Sequence, residues 1–313
     1  MSTPRSVRSC YVSVKGLRLH YLMQAPTCSG SDDVPTIIFL HGFPEYSGVW
    51  QSQLAYFGTK YRAIALDLPG YNLSQGPETL DGYAVPNLVA IVAEFISVFA
   101  KNKPVYLVAH DWGGALAWPL TARFAHLIER LVIINAAHPS TFTREMIINR
   151  EQRLKSDYIH SFLRPDAEDE LSANCFQKLS EHSIRQVRVP LTDDEVGRFY
   201  EVWSRPGAVT RMLNYYRAMP QLFPREEETS SDESLTGSSI KALTDIRIPE
   251  VHIPVPTLVL WGEQDAAFDI GVLDSLEHYV EEYKEVRFAE ASHWIHHEVP
   301  DAINAEIELF ISE

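Results

Sequence analysis

Short, continuous apolar runs punctuate this 313-residue chain at Thr36–Leu40, Arg62–Leu66, Val105–Ala109, Leu131–Ile134 and Thr257–Trp261. Runs of this length without alternation suit strands covered on both faces, as in a parallel sheet. Ahead of them, Val12 and Val14 alternate with polar residues, Lys15-Gly16 reads as a turn, and Leu17, Leu19 and Tyr21 alternate again. That pattern predicts a hairpin. Between the apolar runs lie helical stripes, the clearest formed by Val85, Leu88, Val89, Val92, Phe95, Ile96 and Phe99. Alternation of strand and helix predicts a wound α/β sheet.

The alternation stops after His138-Pro139 and resumes at Ile253–Trp261. The intervening sequence is helical and aromatic. The expected organisation is therefore an α/β core in two parts, residues 1–139 and 246–313, with a helical cap at 140–245. The cap includes an acidic, serine-rich run at 225–239 that reads as a solvated loop.

Charge narrows the function. Lys and Arg number 27 against 42 Asp and Glu, a net charge of −15. Such a surface repels phosphate backbones, so nucleic-acid binding and docking on anionic membranes are not expected. No apolar run reaches the ~20 residues of a membrane span, and no apolar stretch follows the N-terminal basic residues. The three cysteines, Cys10, Cys28 and Cys175, lack framework spacing. A cytoplasmic protein is the expectation; oligomeric state is not legible.

Chemistry concentrates at four strand ends. In Val105-Tyr-Leu-Val-Ala-His-Asp-Trp-Gly-Gly114, a buried run passes directly into a helical face with small residues at Ala109, Gly113 and Gly114. This is the pattern of a nucleophile elbow with Asp111 in place of serine, at a helix N-terminus that favours a carboxylate. A helix-capping Asp is the bland alternative. The segment Ile37-Ile-Phe-Leu-His-Gly-Phe-Pro-Glu45 ends an earlier strand in the loop that supplies one oxyanion-hole donor in this fold. The backbone amides of Phe43 and Trp112 are the expected pair, and His41 is read as structural. Asp265 follows the run at 257–261, and His293 follows Phe288–Ser292. Asp111, Asp265 and His293 thus stand in the chain order nucleophile, acid, base of α/β hydrolases. Asp269 is a fallback acid, and His296 and His297 are fallback bases.

On these motifs the chain resembles α/β hydrolases of the epoxide hydrolase type, close kin of haloalkane dehalogenases. The resemblance runs from His41-Gly-Phe-Pro44 to the His293 segment and includes Asp67-Leu-Pro-Gly-Tyr-Asn-Leu-Ser74. It implies an Asp nucleophile that opens an epoxide to an ester, which His293, oriented by Asp265, then hydrolyses to a vicinal diol. It also implies two cap tyrosines as proton donors to the epoxide oxygen. The family's Asn-Trp-Tyr-Arg motif reads here Asn214-Tyr-Tyr-Arg217, which assigns Tyr216 and puts Tyr215 where Trp is usual. Asp157-Tyr-Ile-His-Ser-Phe162 assigns Tyr158. Trp112, Phe43 and Tyr215 are the expected substrate-binding side chains, and the substrate a small hydrophobic epoxide. No cofactor or metal is expected. His296 stands where the family often has Gln.

A dehalogenase with the same triad is the alternative. It needs two N–H donors for the halide, and Trp112 and the remote Trp203 are the candidates. A non-catalytic binding protein on the same fold is a third reading.

Overall fold

A computed structural model describes residues 6–26, 34–101, 103–219 and 246–313. Eight strands form one sheet in the order β1-β2-β4-β3-β5-β6-β7-β8. They are β1 (Arg8–Val14), β2 (Leu17–Gln24), β3 (Thr36–Leu40), β4 (Arg62–Leu66), β5 (Val105–His110), β6 (Ile128–Ile134), β7 (Thr257–Gln264) and β8 (Tyr283–Ser292). β1 and β2 pair antiparallel, as do β2 and β4; from β4 through β8 every neighbouring pair is parallel. The expected hairpin is present. Lys15 and Gly16 both adopt positive φ (46° and 79°), the geometry of a two-residue turn that matches strand twist.

Each central strand feeds two cores. Ile38, Leu40, Leu107, Leu131, Ile133 and Val259 face one side, while Ile37, Phe39, Val108, Val132, Leu258 and Leu260 face the other. The first side is covered by α2 (Val85–Phe99) and α3 (Trp112–Arg123). The second is covered by α1 (Gln51–Phe57) and the last helix, through Leu54, Phe57, Ile303, Ile307 and Phe310. Burial on both faces explains why these strands read as unbroken apolar runs.

Six helices occupy the chain between β6 and residue 219: α4 (Pro139–Ile148), α5 (Arg150–Lys155), α6 (Tyr158–Phe162), α7 (Ala167–Glu181), α8 (Asp193–Trp203) and α9 (Ala208–Arg217). Their apolar residues, among them Phe162, Leu171, Phe199, Trp203 and Met212, join the core on the α2–α3 side. The acidic run at 225–239 lies outside the described residues. The C-terminal helices are α10 (Ile295–Glu298) and α11 (Pro300–Ile311). Among the described residues, no helix is long and apolar enough to cross a membrane.

Candidate active site

Parallel strands deliver their carboxyl ends to one edge of the sheet, where α/β folds place their sites. Asp111 leaves β5 with φ 48° and ψ −120°, a conformation L-residues avoid, and starts α3. Such strain costs about 1–3 kcal/mol and persists only where its surroundings enforce it. The small neighbours do that. A Cβ on Gly113 would lie 2.5 Å from the Leu40 carbonyl oxygen, and one on Gly114 would lie 2.2 Å from the Ala136 Cβ. The loop after β3 approaches just as closely, since a Cβ on Gly42 would lie 2.2 Å from Asp111 Oδ1. That approach lets the Phe43 amide donate to Asp111 Oδ1 at 2.6 Å.

The other carboxylate oxygen, Oδ2, lies 3.8 Å from His293 Nε2. His293 Nδ1 is 2.8 Å from Asp265 Oδ2. Asp265 is held on every side: Oδ1 accepts from the Ala267 and Phe268 amides at 2.6 and 2.9 Å, and Oδ2 accepts from Asn135 Nδ2 at 2.7 Å. Lys155 Nζ donates to the carbonyls of Asp265 and Phe268. Burial opposes ionisation of Asp265, but His293 and these donors outweigh it and hold the carboxyl below its usual range. Burial likewise disfavours a charged His293. The Asp265 charge and hydrogen bond, then Asp111 and Glu45, overcome that and push its pKa up to about 9.

Two rings from the inserted helices complete the wall. Tyr158 opens α6 and Tyr216 lies near the end of α9; their ring centroids are 6.1 Å apart. Both line a cavity of about 70 Å³ together with Asp111, Phe43, His293 and Trp294. Burial and the Asp111 charge raise the pKa of both hydroxyls, so each keeps its proton.

The structure brings together Asp111, His293, Asp265, Phe43, Tyr158 and Tyr216. It does not bring the Tyr215 side chain to the cavity. Tyr215 is fully buried, donates to the Pro69 carbonyl at 2.8 Å, and packs edge-on against Tyr71, Tyr83 and Trp112. Trp112 contributes its backbone at the start of α3, whereas its indole is packed behind Tyr216 with a hydrogen bond to that hydroxyl. Tyr215 and the Trp112 ring are supports for the wall and not part of its lining. Successive helix positions point in different directions, so Tyr215 cannot share the outlook of Tyr216.

Trp203 donates its indole N–H to the Pro44 carbonyl at 2.8 Å and so has none left for a halide. Asp269 caps a turn and accepts from Asn149. His41 is structural: it accepts from the Leu68 amide at Nε2 and packs against Tyr71.

Several participants escaped the sequence reading. Asn135, which anchors Asp265 and also bonds both ways with Gly262, stands at the end of β6 with φ 38°. Its signal was a polar residue closing an apolar run. Behind His293 lies a second buried group. His110 Nε2 meets the His293 carbonyl at 3.0 Å, and its Nδ1 meets Glu45 Oε2 at 3.2 Å. His182 and Gln186, just after α7, stand at the cavity mouth.

A strained aspartate at a strand-to-helix elbow, a histidine and a second acid at the strand ends of a doubly covered sheet define the class as a hydrolase-type α/β fold. A sequence profile described as alpha/beta hydrolase fold matches residues 35–300. The chain is 31% identical to human epoxide hydrolase 4, covering 100% of this chain and 81% of that protein. It is 33% identical to the Bacillus subtilis AB hydrolase superfamily protein YfhM, covering 95% and 96% respectively. The crystal structure of Bacillus megaterium epoxide hydrolase in complex with an inhibitor superposes with a TM-score of 0.83 at 30% identity, covering 97% of this chain and all of that one. The chain belongs to the epoxide hydrolase family of α/β hydrolases.

Proposed function

We propose that the protein hydrolyses a small, largely apolar epoxide to a vicinal diol through an ester on Asp111. The observation that carries this reading is the double approach to one carboxylate. Phe43 N–H sits 2.6 Å from Oδ1 and His293 Nε2 3.8 Å from Oδ2, with two protonated tyrosines lining the same cavity. The names of the relatives support the substrate class.

An ionised carboxylate needs no base to attack carbon. Asp111 opens the ring at one carbon; the C–O bond breaks, and the leaving oxygen takes a proton from Tyr158 or Tyr216. His293 then removes a proton from water, which adds to the ester carbonyl. The oxyanion is held by the Phe43 and Trp112 amides, donors each worth about 3–4 kcal/mol where such contacts have been measured in other hydrolases. Collapse expels the alkoxide oxygen, which takes the proton from His293 as the diol leaves, and the carboxyl proton of Asp111 passes to the tyrosinate, restoring the resting state. The helices between β6 and β7 act as the cap that supplies both tyrosines. Free Cys10 and Cys175 suit a cytoplasmic setting.

The charge arrangement times the two halves. While Asp111 is ionised, its charge helps keep His293 protonated. Esterification removes that charge, so the His293 pKa falls and the ring becomes a base when one is needed. The expected result is a turnover profile whose ascending limb lies below pH 9, whereas His293 in the free chain titrates near 9. A raised folded-state value also stabilises the fold below the unfolded pKa of about 6.5. That contribution is lost as pH rises through about 9. Melting curves against pH will show this descending limb, and Asp265→Asn will flatten it.

The deciding experiment is a single turnover of styrene oxide or an aliphatic epoxide in oxygen-18 water. Label entering the peptide that carries Asp111, together with diol, is expected. Diol with all label in the product, or label in the same peptide only with a haloalkane, would refute the ester route or the substrate class.

A further inference from the structure

Two adjacent histidines of α10 converge on one buried carboxylate. His296 Nε2 lies 3.1 Å and His297 Nε2 2.7 Å from the same oxygen, Oε1 of Glu45. Glu45 and His296 are buried completely, and His297 nearly so. The three ligand atoms lie within 4.8 Å of one another. We propose that Glu45, His296 and His297 form a binding site for one divalent cation of the zinc class, with water as the fourth ligand.

Zinc bonds of about 2.0–2.2 Å to imidazole and carboxylate put tetrahedral ligands about 3.3 Å apart. The Glu45 oxygen therefore has to withdraw by only a few tenths of an ångström from each ring. The donor set, two imidazoles and one carboxylate, is one that zinc takes in sites with an open fourth position. The outer shell is in place for the carboxylate, because the second oxygen of Glu45 is tied to His110. His296 is oriented by packing against Trp50, with ring centroids 4.9 Å apart, and its Nδ1 has no hydrogen-bond partner. An entry path exists: a cavity of about 140 Å³ opens on His296 and His297 and is lined by Tyr46, Asp194, Glu195 and Arg198. On binding, each ring moves its proton from Nε2 to Nδ1 and offers the Nε2 lone pair to the ion.

The site was invisible in the sequence because Glu45 precedes His296 by 251 residues. It owes nothing to the hydrolytic reading, and its test reads binding and not turnover. The full chain, stripped with a chelator, is titrated with zinc chloride against a chromogenic competitor. One tight equivalent is expected in the wild type and in His278→Gln, an exposed control. His296→Gln and His297→Gln will each weaken it by about tenfold or more, the scale on which metal sites respond to lost support. Asp111→Asn will keep it. Absence of a tight equivalent would overturn the site, as would its loss with Asp111→Asn or its survival in both histidine variants. Where those variants do not fold, pulsed EPR of the copper-loaded wild-type chain counts the imidazoles directly. Two coordinated rings are expected, and any other number rejects the assignment.

Discussion

With His293→Gln, the chain is expected to stop after half a reaction. Asp111 will still attack the epoxide, because its carboxylate is held by the Phe43 amide and needs no base. The ester will persist, because the imidazole 3.8 Å from Asp111 Oδ2 is gone. Intact mass will rise by the mass of one epoxide, and steady-state turnover will fall by about 10⁴-fold or more, the scale on which other hydrolases lose activity when the triad base is removed. Asp111→Ala will show the same loss without the mass shift. Full turnover in either variant, or an adduct in Asp111→Ala, would refute the assignment of roles.

The second large effect concerns the tyrosines. Positioned proton donors contribute about 10²–10⁴-fold, and both hydroxyls are held protonated beside Asp111. Tyr216→Phe and Tyr158→Phe will each slow ester formation in single-turnover measurements, and the double variant will lose more than either. Hydrolysis of preformed ester will be unchanged, since the proposed route assigns that step to His293. Slowed ester hydrolysis with normal ring opening would place the tyrosines in the wrong step. Tyr215→Phe gives the contrast: it removes a buried bond to Pro69, so stability will drop while ring opening keeps its rate.

What was legible in the sequence follows from which signals are local. Strands β3 and β4 have the bounds that their apolar runs predict, because burial on both faces writes itself into every residue. The elbow was legible because strand, small residues and helix are consecutive. β8, at the sheet edge, is exposed or half-exposed until its last two residues, and showed itself only at its end. Tyr215 was misread as a contact because a motif gives neighbours in sequence, whereas one helical step turns the side chain by about 100°. Asn135, Glu45 and His110 were missed for a different reason. Their roles depend on partners 65–252 residues away or on loops whose course no periodicity records.

The loop from His41 to Glu45 has a consequence for how this protein can change. Its Phe43 amide grips Asp111 in front, while Glu45 grips three histidines behind. Much of the cavity's aromatic wall, by contrast, comes from α6 and α9, through Tyr158, Phe162 and Tyr216. Outside Tyr158 and Tyr216, variation in those helices can reshape which molecules fit while the loop and its contacts stay as they are. Variation in the loop disturbs both layers at once. An engineer seeking new substrates, like natural drift, has one half of the pocket free to explore and the other half closed.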